Sequence, residues 1–394
     1  MVTRSFALNK GCLNGYLSVD MGVKYLPIGG NISMKKLFSR RTLAAVAVLG
    51  ASALLLSACS SSTGDAGGKA KVGVSLILKN DTNPFFVAMT KGAKAKAAEL
   101  GVDLSVAAGK DETDDAAQVA AIENAISKKD AGILITAISG GVYAAITKAR
   151  DAGLFVIALD TPTDPADIVD ITFATDNCKA GELIGQWAAA KMNGKKAVIA
   201  LLDIFADKNV PTDYCRDNGF LKGMGIPLGD PKKLADEPKT GKYTGGKGGA
   251  YQIVGNVATL GAEDGGRTGM EQLLAKNPNI NLVYTLNEPA AAGAYAALKA
   301  AGKEKGVVIV SVDGGRAGVE NVKAGVIGAT SQQYPLLMAD LGVQAIFDLI
   351  TTGKKPERTA GLDFFDTGVK LITDDPQAGV PSESVQYGLD NAWG

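Results

Sequence analysis

Short apolar runs alternate with longer amphipathic stretches through most of this chain. The clearest runs are GILITA (132–137), LFVIALD (154–160), KAVIALLD (196–203), INLVYTL (280–286) and GVVIVSVD (306–313). Runs that are apolar on both faces are typical of strands in a parallel sheet covered by helices on both sides. The alternation therefore predicts an α/β doubly wound fold.

The length of the chain bears on the number of domains. One doubly wound domain within 394 residues would be unusually large, so we expect two Rossmann-like lobes. The strand at 171–174, followed by a helix from about Cys178, predicts the break between them. The glycine-rich stretch 239–251 lacks the Gly-Lys-Ser/Thr ending of a phosphate-binding loop, and we interpret it as a surface loop.

The N-terminal part has the pattern of an export signal. From Met34 the chain has basic residues, an apolar run over 43–56, and small residues before Cys59. The run is shorter than the roughly 20 apolar residues of a membrane span. These features predict a signal peptide at 34–58. The stretch LSAC resembles the bacterial lipobox, whose cysteine becomes the lipidated first residue of the mature protein.

Two segments flank this signal. Residues 1–33 fit no part of it, and we interpret them as a mis-assigned extension before a true start at Met34. Residues 59–70 are small and polar after Cys59, and we interpret them as a flexible tether. The stretch SRRTLAA also resembles a twin-arginine export signal, so the export route stays open.

Composition excludes several classes of function. The chain contains no histidine, which removes Ser-His-Asp and Cys-His nucleophiles, histidine metal sites and the usual general base. We therefore expect a protein that is not an enzyme, with no catalytic residues, no cofactor and no metal. Of 41 basic and 41 acidic residues, seven basic and one acidic precede Cys59, so the remainder carries a net charge of −6. That balance argues against a nucleic-acid surface.

The cysteines leave one question open. Cys12 lies in the doubtful extension and Cys59 is the predicted lipid anchor, so Cys178 and Cys215 remain. Export would permit a disulfide, but two cysteines in a large domain do not imply one. We expect buried free thiols and keep the disulfide as the alternative.

Polar and aromatic residues recur where the predicted strands end, which is where open α/β sheets bind ligands. They are Asn83, Phe85 and Phe86 after the first strand, Asp160 after FVIAL, Asn287 and Glu288 after LVYTL, Asp313 after VVIVSV, and Gln332 and Gln333 after a later strand. Carboxylates and amides can each engage two neighbouring hydroxyls, and aromatic faces cover the C–H side of a sugar ring. The set predicts a carbohydrate site.

Architectural explanations exist for some of these residues. Asn83 before Pro84 could be a helix N-cap, and Asp160 and Asp313 could be turn residues. Consecutive helix positions face different directions, so Phe85 and Phe86 cannot both enter one core stripe in the same way. We expect at least one of them to form an aromatic wall of the site.

Several of these motifs together resemble a known family. NPFF, IALD, NEPAAAGAYAAL, SVDGG and GATSQQYP resemble the periplasmic sugar-binding proteins of the ribose-binding type, over residues 71–373. YTLNEPAAAGAY and VIGATSQQYPLLMA are most similar to the fructose-binding members of bacterial ABC importers. The resemblance implies the type I periplasmic binding protein fold, with two discontinuous lobes joined by three hinge crossings. It places the lobes at 71–175 plus 334–366 and at 176–333 plus 367–394, with hinges near Thr175, Gln333 and Thr367.

The resemblance also implies a set of ligand-binding residues. These are Asn83, Phe85, Phe86, Asp160, Asn287, Asp313 and Gln333, with an arginine that maps to Arg216 or, in strict register, to Tyr214. The sequence departs from the family pattern at Thr161, where an arginine is frequent, and near 257–266, where no second-lobe aromatic is evident. An insertion at about 225–250 is a further departure.

The resulting interpretation is a monomeric, lipid-anchored substrate-binding protein of a bacterial ABC sugar importer, exported to the outer face of the cell membrane. Its partners would be a neutral monosaccharide, with fructose preferred, and the permease with its ATPase subunit, but no nucleic acid. The alternatives are another ligand, such as ribose, a nucleoside, a sugar alcohol or a signalling furanose, and a glycosidase using Asp160 and Asp313. A regulator of the lactose-repressor type would carry a helix-turn-helix where this chain has an export signal.

Overall fold

The computed structural model describes residues 71–394. The predictions for the extension at 1–33, the signal peptide at 34–58, the anchor Cys59 and the tether at 59–70 lie outside the described residues. Within the described part, helices and strands alternate along the chain as predicted.

The strands form two separate sheets. They are β1 (Gly73–Leu78), β2 (Asp103–Ala108), β3 (Gly132–Ile135), β4 (Phe155–Leu159), β5 (Ile171–Ala174), β6 (Ala197–Asp203), β7 (Thr240–Tyr243), β8 (Gly249–Ala258), β9 (Leu282–Thr285), β10 (Val308–Asp313), β11 (Ala329–Gln332), β12 (Phe365–Asp366) and β13 (Lys370–Thr373). The first sheet has the order β12-β5-β4-β3-β1-β2 and the second β13-β11-β10-β9-β6-β8-β7. The first is parallel throughout its recorded pairings, and the second is parallel except at β7 and β13, its antiparallel edges.

The helices cover both sheets. They are α1 (Pro84–Leu100), α2 (Asp115–Lys128), α3 (Tyr143–Asp151), α4 (Asn177–Met192), α5 (Pro211–Met224), α6 (Glu263–Lys276), α7 (Glu288–Ala300), α8 (Arg316–Lys323), α9 (Pro335–Thr352) and α10 (Val385–Asp390). Helix α1 begins where the Asn83 side chain accepts the backbone N–H of Phe85, and Pro84 suits the first turn because its nitrogen has no hydrogen to satisfy. It ends at Gly101, whose φ of 69° favours glycine.

The chain crosses between the sheets three times. The crossings lie between β5 and α4, between β11 and α9, and between β12 and β13. Each lobe is therefore built from separate parts of the chain. The prediction of two doubly wound lobes joined by three crossings is confirmed.

Each sheet is buried on both faces, as its apolar strands require. In β1, Val74, Leu76 and Leu78 enter the core under α1 and α9, whereas Ile77 enters the core under α2 and α3. Among residues 71–394, α9 is the one helix that is long and apolar enough to cross a membrane by length and composition alone. Its contacts with α1, β3 and β4 identify it as a core helix of the first lobe.

Helices α4 and α5 pack very closely because glycines lie between them. A Cβ on Gly181 would collide with the carbonyl oxygen of Arg216, and one on Gly185 with that of Phe220. This approach brings Cys178 and Cys215 to a Cα–Cα distance of 4.2 Å, and they form a disulfide. The interpretation of these two cysteines as free thiols is therefore wrong, because the packing of the two helices decides their pairing.

The glycine-rich stretch 239–251 also differs from expectation. It contains β7 and the start of β8, which pair antiparallel with Thr240 opposite Gln252. The prediction of a surface loop holds only for the turn between these strands. The insertion therefore extends the second sheet at its edge, and β7 forms that edge.

Candidate functional site

All eight side chains predicted to bind a ligand line one small cavity between the two lobes, which we call the inner cavity. They are Asn83, Phe85, Phe86, Asp160, Arg216, Asn287, Asp313 and Gln333. Most of them follow strands β1, β4, β9, β10 and β11, and Arg216 comes from α5. The carboxyl ends of parallel strands meet at this place, which is why residues distant in sequence converge there.

The backbone is unusual at both aspartates of the site. Asp160 has a φ of 63° and Asp313 a φ of 140°, values that side-chain-bearing residues rarely adopt. Such strain persists only where the surrounding structure enforces it, and it is concentrated at functional sites. Asp160 directly follows β4 and Asp313 is the last residue of β10, and both line the inner cavity.

The capping explanation also holds for the two asparagines. Asn83 Oδ1 accepts the backbone N–H of Phe85 at 2.9 Å, and Asn287 Oδ1 accepts that of Ala290 at 3.0 Å. In Asn287 the amide nitrogen donates to the carbonyl of Gly261 at 2.9 Å. Capping thus fixes the rotamers of side chains that also border the cavity.

Arg216 is one of the buried cations of the site, and it is 4% exposed. Its Nε donates to Asn177 Oδ1 at 2.8 Å and its Nη1 to the carbonyl of Leu286 at 2.9 Å. Its Nη2 lies 3.6 Å from Asp160 Oδ1, and its Nη1 lies 3.9 Å from Asp313 Oδ1. Arg216 rather than Tyr214 lines the inner cavity. One guanidinium therefore links carboxylates from both lobes.

Three buried acceptor oxygens at the cavity wall lack a hydrogen bond. They are Asp160 Oδ1, Gln333 Oε1 and Glu112 Oε2, of which the first and last have ion-pair contacts with Arg216 and Lys79. The other ends of these side chains are held, since Thr161 donates to Asp160 Oδ2 at 3.0 Å and Gln333 Nε2 donates to Asp313 Oδ1 at 3.0 Å. Leaving a buried acceptor unpaired costs about 1 to 3 kcal/mol, so such groups need an explanation.

Three aromatic side chains pack together beside the inner cavity, and two of them, Phe85 and Phe86, line it. Phe85 and Phe86 are each 4% exposed and meet edge to face, with ring centroids 5.6 Å apart. Both also belong to the core of the first lobe. Trp393 packs on Phe85 with centroids 5.3 Å apart, and its indole N–H donates to the carbonyl of Gln333 at 2.9 Å. Sequence reasoning missed Trp393 because it follows α10 and lies at no strand end.

Two further charged residues line the inner cavity and were missed. Lys79 Nζ lies 3.3 Å from Glu112 Oε2, and both side chains are buried. Lys79 directly follows β1, so the strand-end rule could have found it. Glu112 follows β2, whose sequence DLSVAA is too weakly apolar to stand out as a strand. Near 257–266, where no aromatic was found, the cavity is lined by Gly261.

Burial shifts the ionisation of the acids in this region. It raises the pKa of Asp313 to about 7, although the nearby Arg216 guanidinium opposes the rise. Burial and repulsion from Asp313 raise the pKa of Glu288 to about 8. The Glu288 carboxyl oxygens accept the N–H groups of Gly314 at 2.8 Å and Gly315 at 3.0 Å. Glu288 thereby positions the loop that carries Asp313.

The arrangement is one of donors, acceptors and aromatic faces around a closed space. Within residues 71–394, no group of three or more Asp, Glu, Cys or His side chains is placed to hold a metal ion. The chemistry on offer is therefore hydrogen bonding to a small polar molecule, with an apolar wall on one side.

Known proteins share this architecture. The chain is 28% identical over 349 residues to the D-ribose/D-allose-binding protein of Pseudomonas aeruginosa, covering 86% of this chain and 99% of that protein. It is 32% identical over 292 residues to the ribose import binding protein of Haemophilus influenzae, covering 74% and 89%. A solved ABC transporter solute binding protein from Agrobacterium vitis with bound D-fucose superposes with a TM-score of 0.63 at 26% identity, covering 79% and 100%.

A family description matches as well. Residues 74–355 match the periplasmic binding protein domain, which is well over half of the chain. The two sheets, the three crossings and the interlobe cavity are the architecture that such a match implies. This chain belongs to the periplasmic binding protein family.

Proposed function

We propose that this protein is the substrate-binding protein of a bacterial ABC sugar importer and holds a neutral monosaccharide between its lobes. The observation that carries the proposal is the pair of unpartnered buried acceptors, Asp160 Oδ1 and Gln333 Oε1, beside the Arg216 guanidinium. A sugar hydroxyl can donate to such an oxygen and accept from such a cation at the same time.

The balance of charge favours a neutral ligand. Arg216 lies between Asp160 and Asp313, so its positive charge is already opposed by carboxylates. Lys79 is likewise paired with Glu112. An anionic sugar would meet no free cation in the inner cavity and would be repelled by the acids. Phe85 and Phe86 offer the apolar surface that the C–H face of a sugar ring requires.

We also propose which sugar the site binds. The motifs around Asn287 and Gln333 favour fructose, whereas the curated relatives are named for ribose and allose. Fructose is our first candidate. Ribose, allose, a nucleoside, a sugar alcohol or another furanose are the alternatives within the same site.

Binding would be coupled to lobe closure. We assign the lobes to 71–175 plus 334–366 and to 176–333 plus 367–394, with rotation near Thr175, Gln333 and Thr367. In this structure the lobes touch across the cleft, for example where Thr212 donates to Thr161 at 3.2 Å. A ligand that contacts both lobes stabilises this closed form, which then presents its surface to the permease and its ATPase subunit.

The proposed location is the outer face of the bacterial cell membrane, with the monomer held by a lipid on Cys59. The export pattern of 34–58 and the polar stretch after Cys59 support this proposal. Membrane fractionation tests it, since Cys59→Ala should move the protein into the soluble fraction. A variant that stays in the membrane fraction would contradict the anchor.

Titration calorimetry with fructose, ribose and allose tests the function directly. We expect Asp313→Asn to weaken the best ligand at least tenfold, because it removes a charge-assisted bond worth about 1.5 to 3 kcal/mol. The matched control is Asp207→Asn, an exposed aspartate outside the inner cavity, which should bind as the wild type does. Wild-type affinity in Asp313→Asn would place the ligand elsewhere.

The same incubations test for chemistry. A binding protein should return mono- and disaccharides unchanged. Hydrolysis of a disaccharide that Asp160→Asn abolishes would instead support a glycosidase with Asp160 and Asp313 as its carboxylate pair.

A further inference from the structure

A second and much larger cavity adjoins the inner one between the lobes, and we call it the outer cavity. It has a volume of about 730 Å³, against about 30 Å³ for the inner cavity. Asn83, Glu112, Gly261 and Asp313 line both, so the two spaces share a boundary. A ligand in the inner cavity therefore has room to extend in one direction.

Gly261 lies at the boundary that the two cavities share. A Cβ at this position would lie 3.1 Å from the amide nitrogen of Asn287, one of the residues of the inner cavity. Gly261 has a φ of 63°, and its carbonyl accepts that same amide at 2.9 Å. The backbone is thus fixed against Asn287, and Gly261 places no side chain at the shared boundary.

The outer cavity offers surfaces suited to a second ring. Leu260, Pro289, Ala292 and Trp393 give it apolar walls. Leu260 is 42% exposed and has a φ of 52°, so a strained backbone displays an apolar side chain towards this space. Polar groups are also present, since Asn321 belongs to the lining. Apolar walls with a few polar groups are typical of small-molecule sites.

The charges of the outer cavity exclude one class of extension. Its acidic residues are Asp111, Glu112, Glu263, Glu288 and Asp313, and its basic residues are Lys110 and Arg316. Acids outnumber bases, so a phosphate attached to the sugar would gain no net electrostatic attraction. The lining suits an uncharged extension.

We propose that the outer cavity is a second subsite, which takes the second unit of a neutral glycoside whose first sugar ring occupies the inner cavity. The inference rests on the proposed function, because it places a sugar ring in the inner cavity. A disaccharide and a nucleoside both have the required chemistry: an uncharged ring joined to the first by one bond. A free monosaccharide occupies the inner subsite alone.

Calorimetry with matched pairs of probes tests the subsite. Fructose is compared with sucrose, which carries a glucosyl unit on fructose, and ribose with uridine, which carries a base on ribose. We expect at least one extended probe to bind with a Kd within tenfold of its parent sugar. If a parent binds and neither extended probe comes within tenfold, the subsite is refuted while the proposed function stands. If no sugar and no glycoside binds, both are refuted.

A pair of tryptophan variants locates the second unit. Ala317 is exposed, lies in the first turn of α8 and lines the outer cavity, so Ala317→Trp fills space without disturbing the core. It should weaken the extended probe at least tenfold and the parent sugar less than twofold. Ala324→Trp, at the other end of α8 and outside both cavities, should leave both affinities unchanged. Equal effects of Ala317→Trp on parent and extended probe would overturn the assignment.

Discussion

Helix α5 carries two neighbouring charged residues that enter two very different buried clusters. Arg216 joins Asp160 and Asp313 at the inner cavity, and we call these three residues the site cluster. Asp217, the next residue, lies near Asp203 and Glu237, and we call these three the acid cluster. Both clusters are almost completely buried. They differ in the cation that accompanies the carboxylates. Arg216 is buried between two of them, whereas the exposed Lys239 forms an ion pair with Glu237 alone in the acid cluster.

The acid cluster has little to offset its charge. Neither carboxyl oxygen of Asp217 has a hydrogen-bond partner, and Asp203 Oδ1 and Glu237 Oε2 also lack one. Lys239 donates to Glu237 and to Asn256 Oδ1, and Asn256 donates to Asp203 Oδ2 at 3.1 Å. Burial, followed by repulsion between neighbouring acids, raises the pKa values of Asp203 and Asp217 well above their ordinary range. Burial therefore favours the protonated form of both groups in the folded protein.

The difference shows how an arginine changes the use of a buried acid. Burial raises the pKa of Asp313 to about 7, and the nearby Arg216 guanidinium opposes a further rise. Asp313 can therefore supply a charged acceptor near neutral pH. Among residues 71–394, Asp217 has no cation in contact, and burial together with the neighbouring acids raises its pKa well above the usual range. A carboxylate beside a guanidinium can bind a hydroxyl strongly, whereas a protonated acid offers only the weaker hydrogen bonds of a neutral group.

The largest effect should come from removing the cation of the site cluster. Arg216→Ala leaves Asp160 and Asp313 buried without compensation, which costs about 3 to 5 kcal/mol of folding stability. Without the opposing guanidinium the pKa of Asp313 rises further in the folded state, so stability is lost as the pH increases. Thermal unfolding should show a larger deficit at pH 8 than at pH 5, and calorimetry should show no sugar binding. Arg267→Ala, at an exposed helix position, is the control.

The opposite result would remove the difference between the site cluster and the acid cluster. An Arg216→Ala protein as stable as the wild type at pH 8 would mean that the carboxylates of the site cluster need no cation. The two clusters would then be equivalent.

Removing the disulfide should have an intermediate effect on stability, because it fixes α5, the helix that carries one residue of each cluster. Cys178 and Cys215 are separated by 37 positions, and a cross-link of such a length adds about 2 to 4 kcal/mol of stability. The double variant Cys178→Ser/Cys215→Ser should therefore melt at a lower temperature. Sugar affinity should change less than fivefold, because Asn177 and the carbonyl of Leu286 still hold Arg216.

Reduction of the disulfide tests whether the cross-link or the hydrogen bonds of Arg216 position the site cluster. A phosphine reductant should lower the melting temperature of the wild type and leave that of the double variant unchanged. Affinity that falls together with stability would show that the disulfide, rather than the hydrogen bonds of Arg216, positions the site cluster.

The smallest effect should be a gain in folding stability, from Asp217→Asn in the acid cluster. Asp217 has a raised pKa in the folded state, so the stability it contributes is complete below its ordinary value of 3.8 and is lost as the pH rises towards the folded-state pKa. Asp217→Asn removes that loss, and its amide can donate to the unpartnered oxygen of Asp203 or Glu237. We expect about 1 to 2 kcal/mol more stability at pH 7.5 and almost no difference at pH 4.

Melting curves across this pH range provide the measurement. The exposed Asp207→Asn should follow the wild type at every pH. An Asp217→Asn protein less stable than the wild type at pH 7.5 would show that the carboxylate has a charged role in the acid cluster.

Much of the site could be predicted because strand ends converge in this class of fold. Asp160, Asp313 and Gln333 each follow an apolar run that is legible in the sequence, and the fold brings them together. Glu112 could not be found in this way, since β2 has no clear apolar pattern. Trp393 reaches the site from a segment that packs on the second lobe, so only tertiary structure reveals it.

A second limit of prediction from sequence concerns how elements pack. Two examples are the Cys178–Cys215 disulfide and the acid cluster. The disulfide depends on the close approach of α4 and α5, which Gly181 and Gly185 permit. The acid cluster brings together the end of β6, α5 and the segment before β7. A glycine within a helix reads locally as a weak helix former, and its role appears only when the neighbouring helix is known. Sequence periodicity predicts which elements form, but not how closely two of them pack.

The divided first lobe has a consequence for how the protein is made. Strand β12 pairs with β5 at the edge of the first sheet, and α9 packs on α1, yet both belong to the late part of the chain. The second lobe likewise needs β13 to complete its sheet. A chain emerging from a ribosome or an export channel therefore cannot finish either lobe until nearly all of it is available. We therefore expect the two lobes to complete their folding together, and not in the usual order in which an N-terminal domain folds first.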